Sequence, residues 1–253
     1  MTDDANREVS ATPHRAAAQV QAEPRGPTSA SECARDSCHG ILEFESAPPE
    51  GPRNRLTVFF RPLLALPHII LVGAPPLLPL SLSLQGTGSD GGAEFGAHAG
   101  VLGAVAGICA LISWFTILFA GKHPEGLWGL GHLFLRWRAR ALPYMLLLRD
   151  EYPPFGDDPY PVRFDLQPPE GPRDRLRVGL RLLIAIPYIF LLTLLGLVLT
   201  VVMLIAWLTI LVTGKLSPGL HDFIVRFIRW ELCLETFFLL LRDEFPPLVP
   251  GKG

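Results

Sequence analysis

The sequence predicts a mainly α, integral-membrane protein made of two tandem repeats. Each repeat is expected to be a transmembrane helical hairpin followed by an interfacial amphipathic helix, with possible short β-strands. Three observations predict this. First, 49% hydrophobic residues and a mean hydropathy of +0.32 coexist with 18% charged residues, so apolar and charged side chains must be segregated along the chain. Second, no Lys or Arg occurs between Arg61 and Lys122, or between Arg181 and Lys215. Third, the punctuation around those windows is repeated. Glu50-Gly-Pro-Arg-Asn-Arg-Leu56 returns as Glu170-Gly-Pro-Arg-Asp-Arg-Leu176, Trp114-Phe-Thr-Ile-Leu-Phe-Ala-Gly-Lys122 as Trp207-Leu-Thr-Ile-Leu-Val-Thr-Gly-Lys215, and Leu148-Arg-Asp-Glu-Tyr-Pro-Pro154 as Leu241-Arg-Asp-Glu-Phe-Pro-Pro247.

Residues 1–39 are rich in Ala, Ser, Pro, Glu and Arg and nearly free of large apolar side chains, so they are expected to be a disordered tail. Asp3, Asp4 and Glu8 near the start, with no apolar core behind them, do not fit a signal peptide. Repeat 1 spans 40–155, a linker 156–160, repeat 2 161–248, and a tail 249–253. The offset between the copies falls from 120 to 93 residues, so copy one carries 27 extra residues, placed as a polar insert at 74–100. Copy two has an uncharged run of 33 residues, Leu182 to Gly214, about 50 Å as one helix. Because the insert opens the same point of copy one, copy two is expected to turn near Gly196, giving helices over 63–83, 100–120, 178–195 and 197–213. Re-entrant hairpins that dip into one leaflet are the rival, favoured by Pro67 and Pro187.

Amphipathic stretches follow at 125–140 and 219–235. In the second, Asp222, Arg226 and Arg229 share a face and Phe223, Ile224, Phe227, Ile228 and Trp230 fill the rest. Both are expected to lie in the membrane interface, with Trp128 and Trp137 as anchors in the first. Leu42-Glu-Phe-Glu45 and Val162-Arg-Phe-Asp-Leu166 alternate like strands, and the Leu-Leu-Leu-Arg-Asp-Glu ends are candidates to pair with them.

The basic residues gather beside the apolar runs. Arg53, Arg55, Arg61, Arg173, Arg175, Arg177 and Arg181 are expected to contact lipid headgroups, with Arg181 snorkelling outward. All 22 Lys and Arg lie in three stretches that a four-pass topology puts on one side, predicting a multi-pass cell-membrane protein with both termini cytoplasmic. His68, one turn into the first apolar limb, is either a proton relay or a polar plug bonded to a backbone carbonyl. Tyr188 at the matching place of copy two favours the plug. Gly103 and Gly107 form a small-xxx-small pattern suited to helix packing. The recurring Arg-Asp-Glu-(Tyr/Phe)-Pro-Pro is expected to be a solvated turn, since adjacent carboxylates point apart.

No metal site is expected. Cys33, Cys38 and His39 are too few for a closed zinc site, while Cys109 and Cys233 are expected to pack as small hydrophobes. No cofactor fingerprint, phosphate loop or hydrolase motif occurs, so no catalytic or cofactor-binding residue is assigned and a non-enzyme is expected. A net charge of −2 without a basic, aromatic-bearing stripe gives no reason to expect nucleic acid. The lipid bilayer, a membrane-protein partner or a second copy are the expected partners.

The succession Val162-Arg-Phe-Asp-Leu166, Arg181-Leu-Leu-Ile-Ala-Ile-Pro187, Trp207 to Lys215, Arg229-Trp230 and Leu239 to Pro247 resembles the bacterial membrane-protein family catalogued as domain of unknown function 4389. Both halves carry the resemblance, the second more closely. It implies a bacterial cell-membrane protein, and no catalytic residue or cofactor. A membrane scaffold or partner subunit is the leading expectation, and a small transporter or channel built from two parallel repeats is the alternative.

Overall fold

The computed structural model describes residues 42–46, 53–77, 91–156, 158–168 and 174–246. The predicted tails, Cys33, Cys38, His39, Arg173 and the centre of the polar insert lie outside the described residues. The described chain runs β1 (Leu42–Ser46), α1 (Arg55–Leu64), α2 (Leu66–Val72), α3 (Gly91–Ala120), α4 (Glu125–Met145), β2 (Val162–Leu166), α5 (Arg175–Thr213) and α6 (Pro218–Phe238).

The clearest correction concerns copy two. α5 is a single helix of 39 residues, about 58 Å long, with no turn at Gly196 and Pro187 carried inside it. The helices expected over 178–195 and 197–213 are therefore one element. Gly196 is needed for close approach instead, since a Cβ there would come within 2.5 Å of the Pro76 carbonyl oxygen.

Copy one is the same long helix, interrupted. α1 and α2 meet at a 41° bend, with Pro62 inside α1 and Pro67 in the first turn of α2. The helix expected over 63–83 thus ends at Val72. At the offset of 120, Gly73 matches Thr193, and at the offset of 93 so does Gly100. The two glycines also meet in space, for a Cβ on Gly100 would lie 2.3 Å from the Gly73 nitrogen. Both have positive φ, +83° and +68°, which glycine adopts at little cost. The chain leaves the helical track at Gly73 and rejoins it at Gly100, so the 27 extra residues enter and leave at one point of a track that copy two keeps whole.

The two long helical tracks run antiparallel. Arg53 N–H bonds the Gly214 carbonyl at 2.9 Å at one end, where Phe59 stacks on Trp207. At the other end Trp114 Nε1 donates to the Val178 carbonyl at 3.0 Å. Gly121 and Gly214 cap the tracks with φ of +71° and +73°, and Arg175 and Arg55 of the opposite copy lie over them. Asn54 and Asp174 are the N-caps, which gives the variable position of Glu-Gly-Pro-Arg-x-Arg-Leu its role. Gly100–Ala120 and Leu183–Thr213 are long and apolar enough to cross a membrane, as is the bent α1–α2 pair taken as one span.

α4 and α6 form a second layer, and the sheet a third. Ile224, Phe227, Ile228 and Trp230 of α6 are buried in the core with Phe134, Leu135 and Leu142 of α4. The apolar faces of these amphipathic helices meet protein, which corrects the interfacial placement. Trp128 and Trp137 likewise pack against the core, and Trp128 Nε1 donates to the Leu241 carbonyl at 3.4 Å. β1 and β2 pair antiparallel with Phe44 opposite Phe164, not with the Leu-Leu-Leu-Arg-Asp-Glu ends. Those two phenylalanines are matching residues of the two copies, so a pseudo-twofold axis passes between them. Cys109 is free, whereas Cys233 is disulfide-bonded, correcting its placement as a plain apolar side chain.

Candidate functional site

Each amphipathic helix ends in the same strained turn. Leu147 and Leu240, 93 residues apart, have φ of +60° and +61°, a conformation costly for a branched side chain. Leu148 N–H reaches back to the Pro143 carbonyl and Leu147 N–H to Tyr144; Leu241 to Thr236 and Leu240 to Phe237 repeat the pattern. These are Schellman closures made without glycine. Burial of both leucines compensates for the backbone cost.

The turn presents carbonyls, and a buried arginine of the same copy takes them. Arg61, 1% exposed, donates to the carbonyls of Tyr144 (3.4 Å) and Arg149 (2.8 Å) and to Asp150 Oδ1 (2.5 Å). Arg181, 3% exposed, donates to the carbonyls of Phe237 (2.6 Å) and Arg242 (2.7 Å) and to Asp243 Oδ1 (3.3 Å). Their guanidinium carbons sit 4.8 and 4.2 Å over the rings of Tyr144 and Phe237. Arg53 adds bonds to the carbonyls of Leu147 (2.8 Å) and Leu148 (2.9 Å) and to Asp150 (3.1 Å). Three of the seven arginines expected at lipid headgroups are thus committed to protein acceptors, and Arg181 points inward. Arg55, Arg175 and Arg177 are exposed, and Arg173 lies outside the described residues.

The Arg-Asp-Glu-(Tyr/Phe)-Pro-Pro element is accordingly a seat, not a solvated turn. Its aspartate receives the arginine and its first proline carbonyl receives the polar ring about two helical turns further along. His68 Nε2 lies 3.2 Å from the Pro153 oxygen, and Tyr188 Oη donates to the Pro246 oxygen at 2.6 Å. His68 is also held between Tyr152 and Phe155, at ring distances of 4.8 and 4.5 Å. This is the plug geometry, with a carbonyl from the seat in place of the one freed by proline. Gly103 is buried and Gly107 half-buried on α3, while the tight backbone approaches fall at Gly100 and Gly196.

A second cluster marks the pseudo-twofold axis. Arg138 on α4 and Glu231 on α6 occupy matching positions of the two copies, yet differ in sign and bond each other at 2.7 Å. Arg138 Nε also pairs with Glu235 at 2.5 Å, and its Nη1 and Nη2 donate to the carbonyls of Val72 (2.6 Å) and Ala74 (3.3 Å). Those carbonyls are free because the helix breaks there. Burial pushes the Glu235 carboxyl up to about 8 despite the nearby Arg138, and Glu231 is raised for the same reason. Arg138 is held charged by both carboxylates. No signal in either copy alone could have located this cluster, since position 235 matches Leu142 and the charge sign inverts between 138 and 231.

No curated protein and no solved structure matches this chain. The sequence matches the family DUF4389, described as a domain of unknown function, over residues 95–156 and 175–249, more than half of its length. The first segment opens within α3, so the split part of copy one, with α1 and α2, falls outside it. A match in two segments, one per copy, with Arg149-Asp150 inside the first and Arg242-Asp243 inside the second, places the chain: it belongs to the DUF4389 family.

Proposed function

We propose that the protein is a non-enzymatic module seated in the cell membrane, serving as a scaffold or partner subunit, with both termini on the cytoplasmic side. One observation carries the membrane seating. The long tracks expose large apolar side chains along their whole outer face, and only 22% of each most apolar stretch is buried. Polar groups on that face are satisfied internally: Thr193, Thr209 and Thr213 donate to the carbonyls of Ile189, Ile205 and Thr209 at 2.9, 2.7 and 2.7 Å. Threonines bonded this way need no water. The exposed Arg55, Arg175 and Arg177 supply the headgroup contacts.

The scaffold reading is favoured over a transporter because the interface between the copies, where a pathway through two repeats would run, is filled by Arg138, Glu231 and the Phe44–Phe164 pair. The protein is expected to stay in the pellet when membranes are washed with alkaline carbonate. Reconstituted in proteoliposomes, it should raise the flux of neither ions nor neutral solutes. Release by carbonate would remove the membrane seating. Solute flux that needs the intact Arg138 cluster would install the transporter in place of the scaffold, and in-membrane crosslinking that recovers neither a partner nor a second copy would sink the scaffold role.

A further inference from the structure

We infer that the two long helical tracks lie in the plane of the membrane, embedded side by side in one leaflet, with the sheet facing water. This rests on the membrane seating proposed above and specifies the surface that makes it. The length of the exposed stripe is the first reason. It runs from Leu176 through Leu183, Phe190, Leu197 and Leu204 to Val212, about 54 Å of helix. To hold that stripe within about 30 Å of hydrocarbon, a crossing helix would tilt by about 56°, beyond the roughly 0–40° seen for spanning helices.

The symmetry is the second reason. The pseudo-twofold axis that relates the copies passes through the middle of the tracks, then through Arg138 and Glu231, then between Phe44 and Phe164. The sheet therefore stands over the midpoint of the long helices, with Arg163 and Asp165 exposed on it. Stood upright, the molecule would put those charges at the depth of the bilayer centre, where a charged side chain loses its hydration. Laid flat, the axis becomes the membrane normal and the sheet sits in water.

The ends are the third reason. Exposed Arg55 and Lys215 mark one end of the slab, and exposed Arg175, Arg177 and Lys122 the other. An upright slab would carry basic clusters on both sides of the membrane, against the bias of positive charge to one side. A flat slab sets both clusters at the headgroups of a single anionic leaflet.

The test is depth. A fluorescent amino acid is placed singly at Leu176, Leu194 or Val212 of the full chain, reconstituted in phosphatidylethanolamine–phosphatidylglycerol vesicles with lipids brominated at graded acyl positions. The in-plane slab predicts one common quenching profile at the three sites, strongest for bromines near the headgroup, about 5–10 Å deep. Quenching at Leu194 by bilayer-centre bromines, with shallow profiles at Leu176 and Val212, would overturn the orientation and leave the membrane seating intact. No quenching at any site would overturn both.

Discussion

The two copies agree where they clasp and disagree where they meet. Arg61 and Arg181 take the same three acceptors, 93 residues apart, over rings of the same shape. At the axis, matching positions hold Arg138 and Glu231. The difference traces to the insert. By breaking the first track at Val72–Ala74 it frees two carbonyls that need a donor, and Arg138 is that donor. α5 is unbroken, so copy two offers no such carbonyls, and its matching position is free to be the anion that balances Arg138. The loop insertion in one copy and the charge inversion at the axis thus meet in one side chain, Arg138, which serves the opened carbonyls and the anion alike.

This comparison can be broken hardest at the axis. Arg138→Glu would bury three carboxylates together and is expected to cost about 5 kcal/mol or abolish folding, read by thermal melting in detergent. Adding Glu231→Arg should restore the pair but not the bonds to the Val72 and Ala74 carbonyls, so recovery is partial. Complete recovery would mean the insert and the charge inversion are unrelated. Next, Arg61→Met and Arg181→Met should each cost about 3–5 kcal/mol, because each leaves two buried carbonyls of the turn without the arginine that donates to them. A near-zero cost in one copy would show that the two clasps are alike in shape only.

The Glu235 carboxyl sharpens the contrast with Leu142, its counterpart. Its folded-state value of about 8 lies above the ordinary 4.5, so between those pH values the folded protein holds a proton that the unfolded chain has released. This contribution is fully present below about pH 4.5, declines as pH rises, and is gone above 8. Glu235→Gln should flatten that slope, and an unchanged slope in the variant would assign it elsewhere. The smallest effect is expected from His68→Phe and Tyr188→Phe. Each loses one bond to a proline carbonyl, about 1 kcal/mol, and unequal losses would separate the two plugs.

Much of this was legible from residues alone. The repeat, the strands at Leu42 and Val162, and helices after each apolar run follow from recurrence and period. The continuity of α5 is not legible there, because a 33-residue uncharged run is compatible with one helix or two, and the polar insert of copy one argues for two. The insert's own edges held the better clue, since Gly73 and Gly100 both match Thr193 and so can close the helix behind the loop. The burial of Arg53, Arg61 and Arg181 is not legible from position alone, because a cation beside an apolar run fits a headgroup as well as a core. What distinguishes Arg61 and Arg181 is that an aspartate and an aromatic ring recur with them, at Tyr144 and Asp150 and at Phe237 and Asp243.

The opposed charges at Arg138 and Glu231 also bear on what each half could do if severed from the other. Two first halves would confront arginine with arginine across the Phe44 seam, and two second halves would confront four carboxylates. Only unlike halves can neutralise one another. The charge pattern therefore favours the pairing of unlike halves, and a cut in the 156–160 linker should yield fragments that rejoin as a matched pair.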